Sequence, residues 1–80
     1  MRLPEAVIKE YCDQLEYFQR KLSLKDHGIN TEEILFLLRQ FEQARHQMLS
    51  VNDYDKASTI FFNLLHDSKI QHLMKKYGLR

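Results

Sequence analysis

Three stretches of the chain carry apolar residues separated alternately by three and four positions. This spacing places each set on one stripe of an α-helix. The three sets are Ile8-Tyr11-Leu15-Phe18-Leu22, Ile34-Leu37-Phe41-Ala44-Met48 and Tyr54-Ala57-Phe61-Leu64. Because no stretch alternates apolar and polar residues as a half-buried strand does, the pattern predicts an all-α fold. We expect a small antiparallel helical bundle of three main helices plus a short C-terminal fourth helix.

The first two helices are bounded by a few informative residues. Pro4 suits the first turn of a helix, so helix 1 is predicted over residues 4–24. Gly28 suits a left-handed position just beyond a helix end. Asn30 and Glu33 have the spacing of a capping box. Helix 2 is therefore predicted over residues 31–49.

Polar residues separate the last two helices. We predict helix 3 over residues 53–66, with Ser50 or Asn52 as its cap. Ser68 and Gln71 form a second candidate capping box. A single straight helix would point the apolar residues of 53–66 and of 70–77 in directions roughly 190° apart. We therefore predict a break at residues 67–68 and a fourth helix that stops at Gly78.

Helix 2 carries a second apolar edge about 100° from its main stripe. Its members are Leu35, Leu38 and Leu49. A helix that is apolar on two sides is typical of a central position in a bundle. The pattern therefore predicts that helix 2 is the spine, and that a partner or a second copy covers any part of this edge that the fold leaves open.

The composition restricts the class of protein but does not indicate a function. The chain has 80 residues, of which 44% are hydrophobic and 29% are charged, with a net charge of +1. These values predict one globular domain over residues 1–80. The longest apolar run has five residues, from Ile34 to Leu38, so we expect no membrane segment. The single cysteine cannot form an internal disulfide, which favours an intracellular setting in the cytoplasm or nucleus.

Residues able to carry chemistry do not form a recognisable motif. The histidines, His27, His46, His66 and His72, lack the spacing of a helical zinc site. Cys12 lies beside the stripe of helix 1 and is interpreted as a buried, inert thiol. No glycine-rich phosphate loop is present. We therefore expect no catalytic residue, metal, cofactor or small-molecule substrate, and predict that the chain is not an enzyme.

The C-terminal segment is basic. Residues 68–80 hold Lys69, Lys75, Lys76 and Arg80 with no acidic residue. Such a turn could contact phosphates, although four charges give a weak electrostatic footprint. Nucleic-acid binding through these residues is the alternative function, and the dipole of the last helix explains the same charges without a ligand.

Three aromatic residues do not fit the stripes. Phe36 and Phe62 each project about 120° from the stripe of their helix, among polar neighbours. Tyr17 lies on a polar face of helix 1. Exposed aromatic residues commonly anchor protein interfaces, so these three, with Leu35 and Leu49 behind them, are the candidate partner-binding residues. The other interpretation is that Phe36 or Phe62 covers the underside of helix 4.

Two layouts resemble known families. Residues 48–65 resemble the turn and second helix of a tetratricopeptide unit, through Tyr54, Ala57 and Phe61. Arg45 and Lys69 stand where that motif has a small glycine and a closing proline. Residues 22–69 also resemble, in spacing, the small N-terminal helical domains of transcription elongation factors and their integrase-binding relatives.

Both resemblances imply the binding of protein segments. Together with the aromatic residues they favour a non-catalytic protein–protein interaction module, of the adaptor or scaffold kind. Its partner would be a segment of another protein, or a second copy, held in an apolar groove or on an aromatic patch between helices.

Overall fold

Four α-helices make up the fold in the computed structural model, which describes residues 4–23, 31–51 and 53–80. They are α1 (Pro4–Ser23), α2 (Thr31–Ser50), α3 (Tyr54–His66) and α4 (Ser68–Lys76). No strand occurs in these three ranges. The prediction of an all-α bundle is therefore confirmed. The predicted Gly28 stop and the cap at Asn30 lie outside the described residues.

Asp53 caps the start of α3. Its backbone is extended, and its carboxylate accepts a hydrogen bond from the Asp55 backbone N–H at 2.9 Å. This bond satisfies one of the N–H groups that a helix start leaves open. The predicted cap at Ser50 or Asn52 is therefore wrong, and Ser50 instead ends α2. Several adjacent residues could cap this helix, and only the course of the backbone selects one.

Asp67 alone separates α3 from α4. Its backbone is extended, and its N–H bonds to two carbonyl groups in the last turn of α3. Its carboxylate accepts a hydrogen bond from the Ile70 backbone N–H at 3.0 Å. Asp67 therefore ends one helix and caps the next. The predicted break is confirmed, whereas the cap predicted at Ser68 with Gln71 is one residue late.

Gly78 ends α4 with a positive φ of 73°. Its N–H bonds to the Lys75 carbonyl at 3.2 Å, and the Leu79 N–H bonds to the Met74 carbonyl at 2.8 Å. This pair of bonds is the Schellman arrangement, in which glycine avoids the strain of the left-handed region. The turn directs Leu79 back into the core, where it is buried beside the helices.

One apolar core joins all four helices. The stripe of α2 is buried along its whole length, and Phe41 at its centre has no exposed surface. On α3 the predicted stripe is partly wrong, since Tyr54 is 44% exposed. Leu64 is only partly buried, and its neighbour Leu65 is the buried residue. The other buried residues of α1, α3 and α4 are Ile8, Cys12, Leu15, Phe18, Leu22, Ala57, Phe61, Ile70, Leu73 and Met74.

Helix α2 packs against α1, α3 and α4. It runs antiparallel to α1, since Glu16 contacts Arg45 and Gln19 contacts Glu42. The predicted central position of α2 is therefore present, but α3 also packs against the three other helices. The interior is shared by α2 and α3, because α4 folds back across both of them.

Candidate functional site

An open groove of about 490 Å³ lies between α1 and α3. The two helices run in the same direction: the Tyr11 hydroxyl lies 3.0 Å from the Ser58 hydroxyl oxygen near the start of α3, and Tyr17 shares the groove with Leu65 further along both helices. The segment after α4 flanks the groove. The lining residues are Gln14, Tyr17, Phe18, Phe61, Phe62, Leu65, His66, Leu79 and Arg80.

Two aromatic doublets give the groove its floor and its rims. In Tyr17-Phe18, the phenylalanine is buried and the tyrosine is 51% exposed; in Phe61-Phe62, Phe61 is buried and Phe62 is 47% exposed. Neighbouring helical residues point about 100° apart, so a doublet at the core boundary sends one ring inward and one outward. The exposure predicted for Tyr17 and Phe62 is therefore confirmed, and the structure brings them to one groove.

The Phe62 ring is held in place by its neighbours. It packs edge-on against Tyr11 and Phe61, with ring centroids 5.9 and 5.5 Å apart, and His66 stacks on it at 6.2 Å. Tyr11 in turn stacks on Phe61 at 4.4 Å. These contacts fix the ring while leaving about half of its surface open to solvent. A partner that covers it would lose little side-chain entropy on the protein's side.

The groove is basic at one end. The Lys21 ammonium lies 5.3 Å from the centroid of the Tyr17 ring and donates a hydrogen bond to the Gly78 carbonyl at 3.4 Å. Arg80 and His66 are exposed lining residues at the same end. Among the residues that the structure describes, no aspartate or glutamate lines the groove.

Phe36 does not belong to this groove, and the prediction that it is exposed is wrong. Its ring is partly buried against the core. The Lys69 ammonium lies over the ring, 4.2 Å from its centroid. Helix α4 therefore covers Phe36, as the alternative interpretation of the sequence anticipated.

Leu35 and Leu49 are exposed, at 49% and 65%, but neither lines the groove. They lie fourteen positions apart, which is about 21 Å along α2, so they do not form one patch. Leu38, between them, is partly buried. Leu49 instead borders a second concavity of about 480 Å³ between the start of α1 and the end of α2, which Cys12 and Arg45 also line.

Two of the four candidate phosphate-binding residues already have partners within the fold. Lys69 covers Phe36, and the Lys76 ammonium forms an ion pair with Glu33 at 2.7 Å. Lys75 and Arg80 are exposed. The four side chains therefore do not present one uniform basic surface.

Glu33 connects α2 to the end of α4. Its Oε1 atom accepts hydrogen bonds from the Lys76 ammonium at 2.7 Å and from the Tyr77 hydroxyl at 2.6 Å. These bonds, that of Lys76 foremost, hold the pKa of Glu33 below its usual range. Burial and the adjacent Glu33 carboxylate raise the pKa of Tyr77 to about 12. The predicted role of Glu33 in a cap with Asn30 involves a residue outside the described ranges.

Further titratable groups are buried in the core or contact neighbouring side chains. Cys12 is buried, and burial raises the pKa of its thiol. The Gln19 side chain and then Arg45 donate hydrogen bonds to Glu42, which lowers the pKa of Glu42. The His46 ring nitrogen lies 3.0 Å from the same carboxylate.

The described residues contain no group of three or more histidine, cysteine, aspartate or glutamate side chains that could hold a metal ion. In residues 4–23, 31–51 and 53–80, no helix is both long and apolar enough to cross a membrane. His27 lies outside these ranges.

Sequence reasoning missed most of the groove. The sequence pattern predicts Phe18 and Phe61 as core residues and does not indicate Lys21 or Leu79 as site residues, and His66 is weighed only as a metal ligand. The repeated aromatic doublet was the signal that could have indicated them, because it marks where each helix passes from core to surface. Comparisons with family models, curated proteins and solved structures find no match to this chain.

Proposed function

We propose that this chain is a non-catalytic protein–protein interaction module, which receives an amphipathic helical segment of another protein in the groove between α1 and α3. The observation that carries the proposal is the pair of exposed rings, Tyr17 and Phe62, above a buried floor of Phe18 and Phe61. Large aromatic side chains with a fixed position and an open face are characteristic anchors of protein interfaces.

The dimensions of the groove suit a short helix. The lining residues of α3 run from Phe61 to His66, a rise of about 7.5 Å, which corresponds to between one and two helical turns. A helical segment of this length presents apolar residues at i, i+3 and i+4, which belong to the pattern of helix-in-groove recognition. An interface this small lies at the low end of specific complexes, so we expect a dissociation constant on the order of 1–100 μM.

The environments of the acidic and thiol groups support the non-catalytic part of the proposal. The pKa shifts of Glu33 and Glu42 arise from side chains that join helices, and the pKa shift of Cys12 arises mainly from burial. The shifts of Glu33 and Glu42 are thus accounted for by contacts between side chains. Cys12 lines the concavity between α1 and α2, but a raised pKa lowers the share of the reactive thiolate, which disfavours a nucleophilic role.

The first experiment is a selection of groove-binding peptides. The whole chain is immobilised and exposed to a displayed library of random peptides about 12 residues long, which is about 18 Å as a helix. Enriched peptides are then synthesised and titrated against Phe62→Ser. Tyr54→Ser is the matched control, because Tyr54 is a similarly exposed aromatic residue of α3 that does not line the groove.

We expect Phe62→Ser to weaken peptide binding at least tenfold, a loss typical of an interface anchor, and Tyr54→Ser to leave it unchanged. Peptides that bind both variants equally, or a library that yields no binder, would overturn the groove proposal. Light scattering over a wide concentration range tests whether a second copy of the chain occupies the groove. A stable dimer that Phe62→Ser dissociates would show that a second copy occupies the groove instead.

A further inference from the structure

We infer that the segment bound in the α1–α3 groove carries acidic side chains at one end of its apolar stripe, where they meet Lys21 and Arg80. This inference rests on the proposed function and specifies the chemistry of the partner. The apolar floor of the groove would accept a bound segment in either direction. The basic end would favour acidic partners and would therefore fix the direction in which the segment lies.

The charges of the groove are localised rather than general. The chain as a whole carries a net charge of only +1. Lys21 comes from the end of α1 and Arg80 from the segment that follows α4, so two distant parts of the sequence bring positive charge to one place. His66, at the end of α3, adds a hydrogen-bonding ring beside them.

The basic end has no acidic counterpart among the groove residues that the structure describes. None of these lining residues is an aspartate or glutamate, and the ion pairs within residues 4–23, 31–51 and 53–80 include neither Lys21 nor Arg80. Bringing carboxylates to this end would therefore place opposite charges together at the rim of an apolar contact. Such complementarity chiefly accelerates association and excludes segments of the wrong charge.

The opposite end of the groove is uncharged. Gln14 is the lining residue at that end of α1, and the described lining residues towards the starts of α1 and α3 carry no charge. The groove is thus positive where α1 ends and neutral towards its start. A segment with acidic residues at one end only would consequently bind in one direction, with that end beside Arg80.

The experiment uses the groove-binding peptides obtained with the whole chain. Each is made in two versions, the selected sequence and one in which every aspartate and glutamate is replaced by its amide. Both are titrated against the wild type, Lys21→Gln, Arg80→Gln and the control Lys56→Gln. Lys56 lies ten residues before His66 in α3, about 15 Å away, and its replacement changes the net charge by the same amount.

We expect the selected peptides to be enriched in acids at one end, and the amide versions to bind about three- to tenfold more weakly at low salt. That difference should shrink as salt rises from about 0.02 to about 0.5 M. It should also shrink in Lys21→Gln and Arg80→Gln but persist in Lys56→Gln.

Two outcomes would overturn the inference while leaving the proposed function intact. One is a set of groove-binding peptides without acidic enrichment, and the other is an amide version that binds as tightly as its parent. Failure of the proposed function would look different, because no peptide would then depend on Phe62. Tight, steeply salt-dependent binding of a labelled DNA duplex that is lost in Arg80→Gln would assign the basic end to phosphate instead.

Discussion

Two faces of this bundle carry aromatic residues that lie outside the apolar stripe of their helix, and the chain covers one of these faces and leaves the other exposed. On the α2–α4 face, Phe36 is partly buried and the Lys69 ammonium covers its ring. On the α1–α3 face, Phe62 and Tyr17 remain about half exposed. The local sequence patterns are alike, so the difference lies in where the last helix packs. Phe36 is thus covered from within the chain, whereas the open faces of Tyr17 and Phe62 form the proposed binding surface.

The largest expected effect comes from Phe41, at the centre of the buried stripe of α2. Phe41 is fully buried in α2 and lies 5.7 Å, between ring centroids, from Phe18 in the groove floor. We expect Phe41→Ala to lower the free energy of unfolding by about 3–5 kcal/mol, which is comparable to the whole stability of a domain this small. Circular dichroism during urea denaturation checks this. A midpoint of denaturation that barely changes would show that Phe41 contributes little to the stability of the core.

Replacing each off-stripe phenylalanine by alanine compares the two faces directly. We expect Phe36→Ala to cost about 1–3 kcal/mol, because it removes a ring packed between α2 and α4. Phe62→Ala should cost less than about 1 kcal/mol, because half of that ring is already in water. Urea denaturation of both variants measures the loss in the free energy of unfolding that each substitution causes. Equal losses would mean that the two rings contribute alike to the core, and the contrast between the faces would fail.

The contact between Glu33 and α4 makes the covered face sensitive to acid. The pKa of Glu33 is lower in the folded chain than in the unfolded one, where it is about 4.3. Its contribution is therefore present above that pH and is lost as the pH falls through the lower, folded value. Thermal denaturation between neutral pH and pH of about 3 should show this loss, reduced in Glu33→Gln.

Glu32→Gln is the control for this acid sensitivity, since it removes the same charge one position earlier from an exposed side chain. Should both variants change the acid dependence equally, the effect would belong to the helix dipole and not to the bonds with Lys76 and Tyr77.

The smallest expected effect concerns the cation above Phe36. Lys69→Gln should lower stability by about 0.5–1 kcal/mol, the usual value of an exposed cation–π contact. Lys69→Arg should retain most of it, and Lys75→Gln should change little, because Lys75 is exposed and covers no ring. Chemical denaturation at several salt concentrations measures the stability of the three variants. A loss as large in Lys75→Gln would indicate a general effect of net charge.

Much of the fold follows from local sequence features. The heptad-like spacing of α2 predicted every buried residue of that helix, and the opposed apolar directions of residues 53–66 and 70–77 predicted the break now seen at Asp67. The caps were harder, since Ser50, Asp53 and Asp67 all have side chains able to accept the bond. Only the extended backbone at Asp53 and Asp67 decides between them.

The candidate site was predicted less completely. Tyr17 and Phe62 were correctly expected on the surface, but their meeting in one groove depends on α1 and α3 running side by side in the same direction. The exposed positions of Leu35 and Leu49 were anticipated as one edge, yet distance along α2 separates them. Lys21 reaches the Gly78 carbonyl, two positions before Arg80, only because the chain turns back at Gly78 after α4.

The sequence alone thus determined the helices, their buried stripes and the places where they break, because these depend on periodicity and on side chains acting within a few residues. The tertiary structure decided which aromatic residues stay open and which charges gather beside them. Those outcomes depend on the packing of α4 over α2 and of α1 beside α3, and packing between elements is set by the whole chain at once rather than by any local pattern.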